Sequence, residues 1–172
     1  MSTRRIDHSK AYLSKGGDSL RLPWLMIVVF APFVAGYYLS YLFRTINAVI
    51  AGRLVSDLQL DAAQLGLLTS VYFLTFAAVQ LPLGVALDHY GPRRVQGFLL
   101  LLAASGTALF ASADNVPTLL IGRALIGLGV AGGLMAGLKA LVLWFPKEWL
   151  PLLNGLFIAL GTTGAVTATA PA

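Results

Sequence analysis

Long apolar runs separated by short polar breaks make up the chain after its first two dozen residues. Five of these runs are long enough for a helix that crosses a hydrocarbon core about 30 Å thick, which takes about 20 residues. No run alternates apolar and polar residues as a half-buried strand does, and an open sheet edge cannot be satisfied in lipid. The pattern therefore predicts an all-α polytopic membrane protein, with spans at residues 23–50, 62–87, 95–113, 117–145 and 149–172.

Polar residues at the breaks carry helix start signals. Asp61 is placed to cap the second helix, because an Asp side chain at this position accepts a hydrogen bond from a free backbone N–H. Asp114 and Asn115, followed by Pro117, are placed to start the fourth helix in the same way. The connections between the runs are short, so we expect one five-helix bundle at residues 23–172, preceded by a tail at residues 1–22.

Composition agrees with this reading. Of the 172 residues, 58% are hydrophobic and only 11% are charged, which is too few charges to cover a soluble domain of this size. The 18 glycines are typical of helices that pack closely in lipid. Cys is absent, which excludes disulfides and thiolate metal sites.

Positive charge is concentrated on one side of the predicted membrane. The tail and the second-to-third and fourth-to-fifth connections together hold Arg4, Arg5, Lys10, Lys15, Arg21, Arg93, Arg94 and Lys147. The other side holds Arg53, with Asp57, Asp61 and Asp114. The positive-inside rule therefore predicts a cytoplasmic N-terminus in the inner membrane and an external C-terminus. The net charge of +5 reports topology and not nucleic-acid binding, because the basic residues lack interleaved aromatic stacking positions.

Three further cations, Arg44, Arg123 and Lys139, lie inside predicted spans. A charge in the bilayer centre costs at least about 2.5–3.5 kcal/mol, so each is a candidate functional residue. The alternative for Arg123 and Lys139 is that the side chain reaches the interface from about six residues inside its helix.

Arg44 belongs to a polar stripe on the first helix. Its members are spaced by three or four residues and share one face: Tyr37, Ser40, Tyr41, Arg44 and Asn47. The stripe is either a polar network that holds helices together or a wall of a water-filled solute path. A guanidinium presents a planar fork of donors suited to carboxylate or phosphate, which favours an anionic solute. Tyr37, Tyr41 and Asn47 would orient this solute, and Lys139 could add a second positive charge.

The second helix ends in a segment, residues 83–94, that resembles the cytoplasmic motif of the major facilitator superfamily, G-x-L-A-D-R-x-G-R-K. The matching positions are Gly84, Asp88, Gly91 and Arg93 or Arg94. His89 stands where the family usually has Arg, and Pro92 is a second departure. Asp88 at a helix C-terminus requires a cation or another helix N-terminus nearby, because the helix dipole disfavours it. The alternative is a plain loop with positive-inside arginines.

The fourth helix resembles the second motif of the same family, R-x-x-x-G-x-G, in Arg123, Gly127 and Gly129. The family ties this Arg to substrate binding or proton coupling. Gly129, Gly133 and Gly137 continue at a spacing of four, which lets another backbone approach closely.

The resemblance covers residues 24–172 and implies an N-terminal portion of the major facilitator fold, in which two six-helix halves hold the solute between them. It implies coupling or gating roles for Gly84, Asp88, Gly91, Arg93, Arg94 and Arg123. Residues Gly36 to Arg44 also resemble the organic-anion and organophosphate transporters of the family. The family has six helices in each half and this chain supplies five, so we expect it to be incomplete.

The leading hypothesis is therefore a secondary transporter for a small anionic solute, working by alternating access. Alternatives are a non-transporting sensor or assembly subunit of the same fold, or a homo-oligomeric pore. We expect no enzyme activity, no cofactor and no catalytic or metal-ligating residue, since no nucleophile–base pair, phosphate loop or metal cluster is found. Expected partners are the bilayer, the solute, and a missing C-terminal half or another membrane subunit. Asp88 is expected to pair only locally, with Arg93, Arg94 or nearby backbone.

Overall fold

The computed structural model describes residues 24–169, except for the side chains of Asn47, Ala51 and Asp57. The predicted tail at residues 1–22 and the last three residues of the fifth predicted span lie outside the described residues. Within residues 24–169 every regular element is helical, so the prediction of an all-α protein is confirmed.

The helices form five candidate spans, numbered here in chain order. Their bounds are as follows: span 1, a π-helical turn Met26–Phe30 and α1 Ala31–Leu58; span 2, α2 Ala62–Ala78 and α3 Gln80–Tyr90; span 3, α4 Pro92–Ala111; span 4, α5 Val116–Val130 and α6 Gly133–Trp144; span 5, a 3-10 turn Lys147–Trp149 and α7 Leu150–Thr169. Spans 1, 3, 4 and 5 are each long and apolar enough to cross a membrane, and the bent pair of span 2 passes the same test when taken together. The prediction of about five spans is confirmed.

Two predicted helix starts are confirmed by their caps. Asp61 accepts a hydrogen bond from the backbone N–H of Gln64 at 2.7 Å, and the Gln64 side chain accepts one from the backbone N–H of Asp61 at 2.9 Å. Asn115 accepts the backbone N–H of Thr118 at 3.0 Å. Each cap satisfies a donor that the first helical turn leaves free.

Span 1 is longer than its apolar run. α1 continues to Leu58, about two turns beyond residue 50, and ends at Gln59, which has φ 53°. The apolar pattern measures the part of a helix that lies in hydrocarbon, whereas backbone hydrogen bonding can continue into water. Arg53 therefore lies on the helix and not in a loop.

Spans 2 and 4 are both broken near their middles. Span 2 bends by 44° at Val79. The bend follows from Pro82, whose nitrogen has no hydrogen to donate to the carbonyl of Ala78 one turn earlier. Span 4 is interrupted at Ala131 and Gly132. The two breaks face each other, because the side chain of Gln80 donates to the carbonyl oxygen of Ala131 at 3.5 Å.

Span 4 is more buried than spans 1, 3 and 5, and it packs against the other four spans. Its glycines allow this. A Cβ at Gly129 would lie 2.6 Å from a backbone carbonyl oxygen of span 3, and one at Gly133 would lie 3.3 Å from a carbonyl oxygen of span 1. A Cβ at Gly137 would overlap the ring of Phe157 in span 5. The predicted close approach is confirmed at the first two positions, and a ring occupies the space at the third.

The largest cluster of buried apolar side chains takes residues from all five spans. Phe157 is fully buried there, stacked on Tyr37 with ring centroids 5.1 Å apart and packed edge-on against Phe30 at 6.3 Å. This packing fixes the inner face of span 1, which carries the polar stripe.

Candidate functional site

Arg123 is buried in the centre of the bundle, with 2% of its surface exposed. Its guanidinium carbon lies 5.4 Å from the ring centroids of Tyr72 and Phe110, and its Nη1 donates to the carbonyl oxygen of Phe43 at 3.4 Å. Its Nε is buried without a hydrogen-bond partner. Burial excludes the alternative in which this side chain reaches the interface.

Arg44 extends from span 1 towards span 2 and is exposed. Its guanidinium carbon lies 5.4 Å from the ring centroids of Tyr41 and Phe76 and 5.7 Å from that of Phe73. Aromatic faces attract a guanidinium through the quadrupole of the ring. This contact leaves the charge itself unneutralised.

Neither arginine pairs with a described carboxylate. The carboxylates within residues 24–169 lie at the ends of the helices or in the connections between them: Asp57, Asp61, Asp88, Asp114 and Glu148. Among the described side chains, the two arginines therefore carry positive charges that no carboxylate neutralises. The faces of the aromatic rings are their main stabilising contacts.

Two cavities meet at Arg44. The smaller, about 160 Å³, is lined by both Arg44 and Arg123, together with Thr69, Tyr72 and Phe73; we call it the arginine cavity. The hydroxyl of Tyr72 makes no hydrogen bond of ordinary length and angle, although both arginines are close enough to act on it electrostatically. The arginine cavity thus combines two guanidinium groups with a hydroxyl that lacks a conventional partner.

The larger cavity, about 320 Å³, lies between spans 1, 2 and 4; we call it the inner cavity. Its polar lining consists of Tyr37, Ser40, Tyr41, Arg44 and Gln80. The predicted stripe therefore faces a cavity and not lipid. The side chain of Asn47, its last member, is not among the described side chains.

Ser40 carries an unengaged hydroxyl in the inner cavity. Its residue is 5% exposed, and its hydroxyl makes no hydrogen bond within residues 24–169. The other Ser and Thr hydroxyls of the described part are engaged; Thr45, for example, donates to the carbonyl oxygen of Tyr41 at 3.1 Å. A hydroxyl that makes no hydrogen bond and borders the cavity is free to bond a ligand there.

The two tyrosines of the stripe, Tyr37 and Tyr41, differ in how firmly their side chains are held by packing. The Tyr37 hydroxyl donates to the Tyr41 hydroxyl at 3.4 Å, and its ring is held against Phe157. Tyr41 is half-buried and supports the guanidinium of Arg44. Tyr37 is therefore a fixed wall of the inner cavity, while Tyr41 and Arg44 lie together at its polar side.

Lys139 lies away from this centre. Its ammonium forms an ion pair with the carboxylate of Asp88, which joins span 4 to the end of span 2. The expectation that Asp88 pairs only with Arg93, Arg94 or nearby backbone is therefore wrong. The helix-dipole argument called for a cation near Asp88, and the cation comes from another span.

The remaining motif residues surround the turn between spans 2 and 3. Gly91 has φ 79°, a conformation that glycine adopts without strain, and it ends α3 and precedes α4. Arg93 and Arg94 are exposed in the first turn of α4, and Gly84 is half-buried in α3. These residues form one end of the bundle and do not line the inner or arginine cavity.

Sequence reasoning missed two polar residues of the site, Tyr72 and Gln80. Gln80 lines the inner cavity and its Oε1 is buried without a partner. Both residues stand in apolar runs of span 2, where a lone polar side chain was a usable signal.

Comparison with known proteins supports a single family. The Major Facilitator Superfamily profile matches residues 33–172. The chain is 30% identical over 129 residues to a nitrate/nitrite transporter of Picosynechococcus sp., covering 75% of this chain and 24% of that protein. It is 30% identical over 134 residues to a probable sulfoacetate transporter of Cupriavidus necator, covering 76% of this chain and 31% of that protein.

A third relative is a hexuronate transporter of Escherichia coli, 28% identical over 147 residues, which cover 86% of this chain and 33% of that protein. The chain thus spans about a quarter to a third of the length of these curated relatives. No solved structure gives a significant match.

Proposed function

Since this chain belongs to the major facilitator superfamily, we propose that it is part of a secondary transporter for a small organic anion and that Arg44 binds this anion. The three relatives described above are named for nitrate or nitrite, sulfoacetate and hexuronate, all of which are anions at neutral pH. Their names support an anionic solute, and the physical basis for binding an anion must be found in the residues of this chain.

The observation that carries the proposal is the position of Arg44 at the junction of the inner and arginine cavities. Arg44 is exposed and no described carboxylate neutralises it, so an anion that enters the cavities can reach the guanidinium. The apolar walls beside it strengthen the attraction relative to water. Ser40 and Tyr41 offer hydroxyls in the same cavity, so a bound carboxylate has donors on more than one side. Arg123 adds positive potential from its buried position behind Tyr72.

Substitution of Arg44 tests this role in the protein encoded by the complete reading frame. Arg44→Lys keeps the charge but loses the planar fork, so affinity for the solute should fall at least about tenfold. Arg53→Lys is the matched control, because Arg53 is exposed near the end of the same helix. Binding is measured by isothermal titration with small carboxylates. Parental affinity in Arg44→Ala would refute the proposal.

The motif at the end of span 2 is assigned to the conformational change and not to the solute. The residues of this assignment are Gly84, Asp88, Gly91, Arg93 and Arg94, with Arg123 as the link to the cavities. The Asp88–Lys139 ion pair supports it, since this contact ties two spans together at one end of the bundle. Lys139 acts there as the partner of Asp88, so Arg44 is left as the cation that binds the anion.

For membrane topology we propose an inner-membrane protein with a cytoplasmic N-terminus. The support is the distribution of Lys and Arg between the two sides. Reporter fusions at Lys10, Asp57, Arg94, Asp114 and Lys147 test it. Asp57 and Lys147 found on the same side would contradict the topology.

Transport is proposed to need more than these 172 residues. A site between two repeats has two walls, and this chain spans about a third or less of its transporter relatives. The missing wall would come from a C-terminal half or from another membrane subunit. Saturable uptake by liposomes that contain the chain alone would favour the homo-oligomeric alternative, and binding by the complete protein without uptake would favour a sensor.

A further inference from the structure

A third cavity lies outside the solute site, at the end of the bundle where spans 1 and 3 begin and span 4 ends. It has a volume of about 400 Å³. Trp24 and Trp144 stand at its mouth and are 57% and 55% exposed, so it opens to the outside of the bundle. Its remaining walls are mainly apolar side chains of spans 1 and 3.

The shape of this cavity matches one leaflet of a bilayer. Its wall on span 1 runs from Trp24 to Phe33, which is roughly 13 Å at the helical rise of 1.5 Å per residue. Half of a hydrocarbon core about 30 Å thick is about 15 Å. Tryptophan is the residue that marks the membrane–water interface, so the two tryptophans place the mouth of the cavity at the level of lipid headgroups.

The mouth carries positive charge. Arg93 lines the cavity from the first turn of α4. No side chain caps this helix end, so the N–H groups of its first turn lack a side-chain partner and the positive end of the helix dipole lies beside Arg93. No acidic side chain lines the cavity.

A buried polar group gives a second, independent indication of a ligand. Gln96 lines the cavity, is 5% exposed, and makes no hydrogen bond with any described residue. Its amide N–H groups can donate to a phosphate or an ester carbonyl oxygen. Its Oε1 is the atom that is fully buried without a partner, whereas its Nε2 makes no hydrogen bond with a described residue and is not enclosed, so the N–H groups are the part open to a ligand.

We propose that this cavity binds one anionic phospholipid molecule, with the phosphate on Arg93 and the α4 N-terminus, the ester region at Gln96, and an acyl chain along span 1. The N-terminal tail is a poorer occupant, because its excess of Lys and Arg would repel Arg93. A basic site between helices at the interface is the arrangement that recognises anionic headgroups.

Two variants test the headgroup and the chain separately. Arg93→Gln removes the charge, and Arg94→Gln is its matched control, since Arg94 lines a different cavity, between spans 2 and 3. Gly97→Leu fills the proposed chain position: a Cβ at Gly97 would meet nothing within 4 Å, so the added side chain projects into the cavity. Gly66→Leu is its control on span 2, where a Cβ also meets nothing.

The readout is tryptophan quenching in the Trp149→Phe background, which leaves the two cavity tryptophans as reporters. The purified chain is placed in phosphatidylcholine vesicles that contain a minor fraction of either brominated phosphatidylglycerol or brominated phosphatidylcholine. The parent should show preferential quenching by phosphatidylglycerol. Arg93→Gln should lower this preference about fivefold, the effect of one basic residue near the surface, and Arg94→Gln should stay within about twofold.

Three results would overturn the proposal. One is a parent without preference for brominated phosphatidylglycerol. The second is equal loss in Arg93→Gln and Arg94→Gln, which would mean general surface attraction. The third is unchanged preferential quenching in Gly97→Leu, which would remove the acyl chain from this cavity. Circular dichroism of each variant verifies that the helices are intact.

Discussion

Replacing Arg123 by methionine tests why a guanidinium is buried inside span 4. The side chain is 2% exposed and lies against two aromatic rings, at 5.4 Å from each centroid. Methionine has a similar length and no charge, and its sulfur makes favourable contacts with the same kind of rings. Since no described carboxylate pairs with Arg123, the substitution leaves no buried charge behind.

The energetic terms at this position nearly cancel. An arginine at mid-membrane costs about 2.5–3.5 kcal/mol on insertion scales. Each desolvated cation–π contact returns about 1–2 kcal/mol, and the long hydrogen bond to Phe43 at 3.4 Å returns about 0.5 kcal/mol. Methionine has no desolvation cost and gains about 0.3–1.5 kcal/mol per ring contact. Arg123→Met should therefore leave the free energy of unfolding within about 1 kcal/mol of the parent or raise it.

The assay is unfolding of the purified chain in mixed micelles by sodium dodecyl sulfate, followed by circular dichroism. Ile126→Met controls for a methionine in the same core, where a volume-conserving change costs less than about 1.5 kcal/mol. A loss of more than about 2 kcal/mol in Arg123→Met would refute the reasoning and make Arg123 a structural residue. Loss of transport in the complete protein, with stability retained, is the expected outcome for a residue kept for function.

Three further predictions follow from the described contacts. Ser40→Ala should weaken solute binding about two- to tenfold, the value of one hydrogen bond. Thr45→Ala should not, since that hydroxyl is already engaged; equal effects in titration would contradict a solute contact. Asp88→Asn should reduce turnover while the solute affinity stays within about threefold of the parent. The free energy of unfolding should change by less than about 1 kcal/mol, because the Asp88 side chain is 79% exposed. Lys139→Gln should behave in the same way, and a large loss of affinity would contradict a gating role. Gly129→Leu should destabilise by about 1–3 kcal/mol or more in detergent unfolding, because the new side chain would collide with the backbone of span 3; parental stability would show that span 3 can move away.

Local signals in the sequence predicted the local structure well. The caps at Asp61 and Asn115 are chemical contacts between residues three apart, so both partners are visible in a short stretch of sequence. The bend in span 2 could also have been predicted from Pro82, since a proline inside a helix removes a hydrogen bond wherever it stands. The end of span 1 at Leu58 was beyond reach of an apolar pattern, which ends where the hydrocarbon ends.

For contacts between spans, the sequence predicted the type of partner but not which residue it is. The need of Asp88 for a cation followed from its place at a helix C-terminus, but its partner Lys139 is 51 residues away and depends on how spans 2 and 4 are arranged. Arg123 presented the same difficulty, because a cation six residues inside a helix can reach outward or be covered by neighbours. The stripe around Arg44 was predictable because helical spacing alone places its members on one face.

The spacing of the glycines in span 4 affects which helices pack against it. In a helix of 3.6 residues per turn, a step of four residues advances by about 40° around the axis, so a repeat of four traces a slow spiral and not a straight groove. Gly129 faces span 3 from α5, and after the break at residues 131–132 Gly133 and Gly137 of α6 face spans 1 and 5. The spacing of these glycines along span 4 thus helps to determine which helix packs against it at each level. One residue inserted between Gly133 and Gly137, inside α6, would turn Gly137 by about 100° relative to Gly133, and would redirect the contact with span 5 while leaving the composition of the helix almost unchanged.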